Sequence, residues 1–366
     1  MYIVLIYLGR RGAGGWISYE LAARLQEKFS TVMVTSQYAE HKINWASLQT
    51  DHIVTPTFRS AISALVSLLV PIRIHLLVQE IRRRKPDVLL FPMFHPWNAI
   101  IQKRMSDIPS VVFVHDPDPH PDLAGWFYGT LEQASIRQAR RCIILSENLV
   151  GGLLKRGAVL EDIDIIPLGP FRLTPGKDLF PKKEGNPILL FFGRIAPYKG
   201  LDVLLRAYAD VRKTHSARLL ISGEGNIEPF RHLLEHIPDV DIINHWIPES
   251  EIGGLFQQGD ILVLPYTSAS QSGVIPIAAS FGMPVIATHT GGIPEQIEDG
   301  VSGWLVPPGN VAALVGAIKD VIDHPEMARQ RGAALKTRYE SNFNWDEIGV
   351  RVGESLRKAM QAGGRV

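Results

Sequence analysis

Short apolar runs alternate with amphipathic segments of helical period along the whole chain. Few architectures other than parallel α/β accept that pattern. In the first half the strand-like runs are Tyr2–Tyr7, Thr31–Thr35, His52–Thr55, Val88–Phe91, Ser110–Val114, Cys142–Leu145 and Ile163–Ile166, with helical segments such as Trp16–Lys28 and Leu123–Gln138 between them. The alternation fails once, where Pro167, Gly169, Pro170, Pro175, Gly176, Pro181, Gly185 and Pro187 crowd one stretch, the composition of a linker. It restarts with strands Ile188–Phe192, Arg218–Ser222, Asp241–Ile243, Ile261–Leu264, Pro284–Ala287 and Trp304–Val306. The intervening helices are Leu201–Lys213, Glu228–His236, Glu249–Phe256 and Ile275–Phe281, and Val311–Ile322, Glu326–Ser341 and Trp345–Gln361 close the chain.

A length of 366 residues suits two domains. The expected division is a first Rossmann-like domain over 1–168, a linker over 169–185, a second domain over 186–340 and a terminal helical segment over 341–366. With 38 Lys and Arg against 37 Asp and Glu, the global field is weak and does not call for a nucleic acid. The single cysteine, Cys142, excludes an internal disulfide, fits a reducing compartment and sits in a strand-like run as an inert thiol. The apolar run Tyr2–Leu8 has no basic region before it and is too short for a secretory signal, so the expected location is cytoplasmic.

Two open parallel sheets bind ligands at the carboxyl ends of their strands, so the chemistry is expected in strand-to-helix loops. The loop Gly9-Arg10-Arg11-Gly12-Ala13-Gly14-Gly15 leaves the first strand and suits a phosphate at a helix start; it also suits a tight turn. It is not a Gly-x-Gly-x-x-Gly loop, and Thr35-Ser36-Gln37 stands where a dinucleotide fold carries its ribose-binding acid, which disfavours a dinucleotide enzyme. After the linker, Gly193-Arg194-Ile195-Ala196-Pro197-Tyr198-Lys199-Gly200 places two cations where they can neutralise a diphosphate. Ser268-Ala269-Ser270-Gln271-Ser272-Gly273 precedes another helix, either to bind phosphate or as an ordinary N-cap.

With Ser222-Gly223-Glu224-Gly225, Phe281-Gly282-Met283-Pro284, Gly291-Gly292-Ile293-Pro294-Glu295 and Asp299-Gly300 to Pro307, these motifs resemble family-4 retaining glycosyltransferases in order and spacing, over roughly 186–308. A looser N-terminal match rests on Gly14-Gly15, His115-Asp116 and Leu145-Ser146-Glu147. The resemblance implies the GT-B fold, an α/β architecture of two Rossmann-like domains whose parallel sheets face across a cleft, with the last helix returning to the first domain. It implies hexosyl transfer from a nucleotide-diphosphate sugar to a saccharide or lipid-linked acceptor, with no metal and no cofactor. Carried over by position, Gly193, Arg194 and Lys199 hold the diphosphate, with Gly14 and Gly15 approaching from the first domain. Trp246 and Ile247 meet the base, and Glu224 and Glu295 lie in matching donor-binding segments. His115 touches a sugar, and Asp116 orients it.

One departure stands out. The family's Glu-x7-Glu pair falls here on Ala269 and Ile277, and an isoleucine accepts no hydrogen bond from ribose. Gln271, Ser272 and Gly273 fill the same loop with hydrogen-bonding groups and are expected to replace those contacts.

The loop His115-Asp116-Pro117-Asp118-Pro119-His120-Pro121-Asp122 admits three readings: a sugar-contacting site, a metal site within a sugar-ester hydrolase, or a stiff silent turn. The missing glutamates also admit a non-catalytic sugar-nucleotide binding protein. Finally, the apolar stretch Ala61–Val78, followed by Arg82-Arg83-Arg84-Lys85, reads either as core helices with a solvated end or as a peripheral contact with the inner face of a membrane.

Overall fold

The computed structural model describes residues 1–39, 45–117, 123–171, 173 and 186–361. Asp118, His120 and Asp122 lie outside the described residues, as do 172 and 174–185 of the proline- and glycine-rich stretch. The chain forms two compact units, Met1–Leu168 with Trp345–Val366, and Gly169–Asn344.

The first unit is built on seven parallel strands: β1 (Tyr2–Tyr7), β2 (Ser30–Ser36), β3 (Asp51–Thr55), β4 (Val88–Phe91), β5 (Ser110–Val114), β6 (Arg141–Ile144) and β7 (Ile163–Ile165), in the order β3-β2-β1-β4-β5-β6-β7. The central strands are apolar at every position because helices cover both faces, so Ile3, Val4, Leu5 and Leu89 to Phe91 are fully buried. The terminal helix Trp345–Gln361 packs against helix Gly14–Leu25 by burying Ile348, Val352, Leu356 and Ala359 at helical spacing, and Arg24 meets Asp346 at 2.5 Å. Cys142 is buried in β6.

The second unit carries six parallel strands: β8 (Ile188–Phe192), β9 (Arg218–Ser222), β10 (Val240–Ile243), β11 (Ile261–Leu264), β12 (Val285–Thr288) and β13 (Trp304–Val306), in the order β10-β9-β8-β11-β12-β13. Leu201, Leu204, Leu205, Tyr208 and Val211 form the buried stripe of helix Leu201–Val211, and the Tyr208 hydroxyl donates to the Ala217 carbonyl at 2.8 Å.

Several boundaries differ from expectation. The first helix starts at Gly14 rather than Trp16, its first turn closing where Ile17 N–H donates to the Ala13 carbonyl. The helix expected over Glu228–His236 is a 3₁₀ turn Glu228–Phe230 followed by one α turn, Arg231–Leu234.

In each unit the strand order reverses direction once, between β1 and β4 in the first and between β8 and β11 in the second. Loops leaving the two central strands diverge at such a point and leave a crevice at the carboxyl edge of the sheet.

Candidate active site

In the second unit, the loops following β8, β9 and β11 lock onto one another. Gly193 N–H donates to the Ser222 carbonyl and Ile195 N–H to the Glu224 carbonyl, each at 2.9 Å. Gly223, at φ 153°, lies so close to this loop that a Cβ would stand 1.9 Å from the Gly193 carbonyl oxygen. From the other side, Thr267 N–H donates to the Tyr198 carbonyl at 2.8 Å. Gly200 adopts φ 67° with the Pro265 carbonyl 1.9 Å from where a Cβ would be, so only glycine lets these backbones meet.

That lock fixes Lys199. Its ammonium lies 3.7 Å from the centroid of the fully buried Tyr266 ring and 5.1 Å from that of Tyr198. Burial, with help from the nearby Arg194 charge, lowers its pKa to about 8. Burial pushes the Tyr266 phenol up to about 12, against a pull from the Ser272 hydroxyl. Among the described residues neither Arg194 nor Lys199 forms an ion pair.

The 268–273 loop is fastened from behind. Ser272 N–H donates to Gln296 Oε1 and Gln296 Nε2 donates to the Ser272 carbonyl, both at 2.9 Å, while Gln296 Nε2 also reaches the Tyr339 hydroxyl at 3.2 Å. Ser272 is 1% exposed, and its hydroxyl accepts from Val274 N–H at 3.3 Å. The Ser272 N–H thus holds the loop, and its hydroxyl oxygen accepts the N–H just before helix Ile275–Phe281. Gln271 and Gly273 are partly exposed, and open space surrounds Gly273. Ile277, at the second position of the absent carboxylate pair, is a buried core residue. Gly292 N–H donates to the Ser270 carbonyl at 3.0 Å, joining the Gly291–Glu295 segment to the same cluster. Glu224 is exposed at the end of β9, Glu295 half-buried, Trp246 exposed and Ile247 buried.

In the first unit, Gly14 and Gly15 are buried at the start of the first helix. His115, directly after β5, donates from Nε2 to the Pro92 carbonyl at 2.8 Å, so the free lone pair is on Nδ1. Burial lowers its pKa, partly opposed by the Pro92 bond, and the ring is neutral at pH 7. The Pro92 carbonyl, directly after β4, holds this ring through Nε2. Arg156 pins the next turn, donating to the Pro117 carbonyl and to Glu132, each at 2.8 Å. Burial raises the Glu132 carboxyl, Arg156 lowers it and Asp116 pushes it up again. Among the described residues no three His, Cys, Asp or Glu converge as a metal site.

At the β1/β4 crossover lies a cavity of about 390 Å³ lined by Arg10, Phe58, Phe94, His95 and Tyr128 among others. Of its lining only Gly9 and Arg10 belong to a loop that the sequence marked, and Tyr266, Gln296 and Arg156 belong to none.

Among the described residues no single helix is long and apolar enough to cross a membrane, but Ser63–Leu69 and Ile72–Arg83, bent by 65°, pass that test together. Leu65, Val66, Leu69, Val70, Ile72 and Leu76 on this pair are exposed. The basic run after it is not a free patch: Arg82 pairs with Asp107, Arg83 with Glu80, and Arg84 with Asp51 and Glu80.

The model for the glycosyl transferase 4-like domain matches residues 12–169, and that for group 1 glycosyl transferases matches residues 186–324. The chain is 29% identical over 278 residues to a D-inositol 3-phosphate glycosyltransferase of Streptomyces scabiei, covering 70% of this chain and 61% of that protein. Among solved structures it resembles sucrose-phosphate synthase from Thermosynechococcus elongatus, at a TM-score of 0.74 and 18% identity over 99% of this chain and all of that one. It also resembles HepE from Anabaena, solved with UDP-glucose, at a TM-score of 0.74 and 17% identity over 98% of this chain and 100% of that one.

Proposed function

Because the chain belongs to the glycosyltransferases of GT-B fold, joining a glycosyl transferase 4-like domain to a group 1 domain, we propose that it transfers a hexose from a nucleotide diphosphate to an acceptor hydroxyl with retention of configuration and without a metal. The observation that carries this reading is the pair Arg194 and Lys199. Among the described residues these two cations have no carboxylate partner, and one of them is desolvated against Tyr266, an arrangement that suits an anionic ligand.

In the proposed reaction these two cations and the Gly193 backbone hold the diphosphate. Trp246 and Ile247 frame the base, Glu224 and Glu295 serve the donor sugar and ribose, and Gln271 and Gly273 occupy the place of the absent glutamates. Gly14 and Gly15 meet the phosphates, while His115 and Asp116 meet a sugar. The bond from the anomeric carbon to the diphosphate oxygen breaks, the acceptor oxygen bonds to that carbon on the same face, and the acceptor proton passes to the leaving phosphate. Catalysis then rests on position and on stabilised leaving-group charge.

The reading includes a saccharide or lipid-linked acceptor and peripheral contact of the exposed 65–76 face with a membrane. Ile277 favours a second reading, a protein that binds sugar nucleotides without turnover. A thermal-shift screen of nucleotide sugars, followed by assay of nucleoside diphosphate release with acceptor mixtures, separates them. Stabilisation with product release supports transfer; stabilisation with no release under any acceptor supports binding alone, and no stabilisation by any nucleotide sugar removes both.

A further inference from the structure

Three consecutive residues after β11 meet three consecutive residues after β8 in reverse order. The Pro265 carbonyl oxygen lies 1.9 Å from where a Cβ would stand on Gly200. Thr267 donates to the Tyr198 carbonyl from its N–H at 2.8 Å and from its hydroxyl at 3.3 Å. Between these two contacts Tyr266 meets Lys199. Thr288, the last residue of β12, holds the Tyr266 backbone by donating its hydroxyl to the Tyr266 carbonyl at 2.6 Å.

The Tyr266 side chain is fully buried, and the Lys199 ammonium lies over its ring, 3.7 Å from the centroid. The partly exposed Tyr198 ring is more distant, at 5.1 Å. The groups that bear on the Lys199 charge are Tyr198 and Arg194 from its own loop and Tyr266 from the loop after β11, and no carboxylate is among them.

An ammonium stripped of water gives up its proton or turns toward solvent unless a partner returns part of its solvation. A carboxylate returns most, but it also cancels the charge that an anionic ligand needs. A ring face attracts the cation through its quadrupole and leaves that charge uncancelled. We propose that Tyr266 is a positioning residue of the candidate active site, its ring face holding the desolvated Lys199 ammonium where a diphosphate can take up its charge. The inference rests on the reading of Lys199 as a diphosphate ligand, but the two fail separately. What the role requires is the electron density of the ring and not the hydroxyl; a residue that only filled space would serve equally well with any flat ring of that size.

The test replaces Tyr266 in the full chain with phenylalanine, and separately with a trifluorinated phenylalanine of nearly the same shape but an electron-poor face. NMR titration of the Lys199 ε-carbon reads the ammonium directly, with no ligand present. Tyr266→Phe is expected to keep the wild-type titration near pH 8, whereas the fluorinated ring lowers it by about one unit. Calorimetric titration with UDP-glucose and GDP-mannose, whose diphosphates carry a fixed charge, reads the consequence. At about pH 8 the fluorinated protein binds about fivefold more weakly than wild type, because about a tenth of its Lys199 is charged instead of about half. At about pH 6 the affinities converge, since the lysine is charged in all three proteins. A Lys199 titration unmoved by fluorination, or a loss of affinity equal at the two pH values, overturns the proposal, because either result is that of a mere filler. A Tyr266→Phe titration that departs from wild type also overturns it, by assigning the hold to the hydroxyl. A titration that moves as expected in a protein that binds neither nucleotide sugar instead overturns the diphosphate reading and leaves Tyr266 as the residue that holds the ammonium.

Discussion

The Lys199 ammonium stands 3.7 Å from the centroid of the Tyr266 ring, and it is the loop lock between Tyr198 and Thr267 that keeps it there. A ring face returns part of the solvation the ammonium loses, on the order of 2 kcal/mol in a desolvated site. The remainder appears as a pKa of about 8 against the ordinary 10.5. Between those values the folded chain holds fewer protons than the unfolded one, so this residue's cost to stability is fully present below pH 8 and fades as pH rises toward 10.5. Ligand affinity runs the other way, since the cation is the form that binds a diphosphate. We expect nucleotide-sugar affinity to fall above pH 8, and binding at pH 8.5 to take up protons as the phosphates raise the lysine pKa. Calorimetry in two buffers of different ionisation enthalpy measures that uptake; an identical heat in both denies it.

Replacing Lys199 with Met should separate function from stability. The apolar chain suits the Tyr266 face, so the melting temperature should rise or hold at neutral pH, while turnover falls about 10²–10³-fold as one preorganised charge is removed from the leaving group. Arg194→Ala should lower turnover comparably with little effect on melting, because the side chain is exposed. Near-native turnover in both variants would remove the diphosphate assignment.

The Gln296–Ser272 pairing makes a prediction that an N-cap alone does not. Gln296→Leu strips both backbone groups of Ser272 of their partner and should cost about 1–3 kcal/mol of stability. Ser272→Ala removes the hydroxyl that accepts from Val274 and should cost about 0.5–2 kcal/mol. Nucleotide-sugar affinity should change in Gln296→Leu, where the loop loosens, and little in Ser272→Ala, where the ligand loses no contact. Chemical denaturation and titration on the same two variants check it.

These contacts also mark where sequence reading stops. Strands such as Tyr2–Tyr7, Ser110–Val114 and Ile261–Leu264 were legible to the residue, because buried parallel strands write themselves as uninterrupted apolar runs. Arg194 and Lys199 were legible because their loop is local. The burial of Lys199 was not, since Tyr266 arrives from a distant strand with no spacing rule to join them. The pairing of Ser272 with Gln296 was not legible either, because Gln296 closes the short helix Ile293–Gln296, far along the chain, with no spacing rule to join the two. His95 had no periodicity around it at all: Phe94-His95-Pro96 follows β4 as irregular backbone, and only the tertiary stack on Phe58 reveals it.

Two neutral buried histidines should set the acid limit of the fold. His95 is lowered from 6.5 to about 3, and His115 is also lowered. Both release their protons on folding, so their contribution is fully present above about pH 6.5 and is lost as pH falls toward their folded pKa values. Wild type should lose stability between pH 6.5 and pH 3, and His95→Phe should lose less over that range, its unfolding taking up about one proton fewer near pH 4.5. Urea denaturation across that range gives the slopes; equal slopes in the two proteins would show that His95 is already charged.

The exposed face of the 61–76 helix pair predicts how any membrane contact behaves. Leu69 and Ile72 are 72% and 63% exposed beside the bend, and Ser60 and Ser63 close a capping box that begins the first helix. Such side chains gain about 1.5–3 kcal/mol each on full burial. Arg82, Arg83 and Arg84 already face Asp107, Glu80 and Asp51, so they add little net attraction for anionic lipid. Vesicle binding should therefore be driven by apolar insertion and change little between low and high salt, unlike the strong salt dependence expected of an unpaired basic cluster. Leu69→Glu with Ile72→Glu should reduce vesicle binding by about two orders of magnitude, since about 3 kcal/mol of insertion is lost. Folding stability should shift by less than about 0.5 kcal/mol, as expected for exposed positions. Sedimentation with liposomes at two salt concentrations decides it: binding that disappears with salt would return the role to the arginines, and no binding at either salt would leave this face without a membrane.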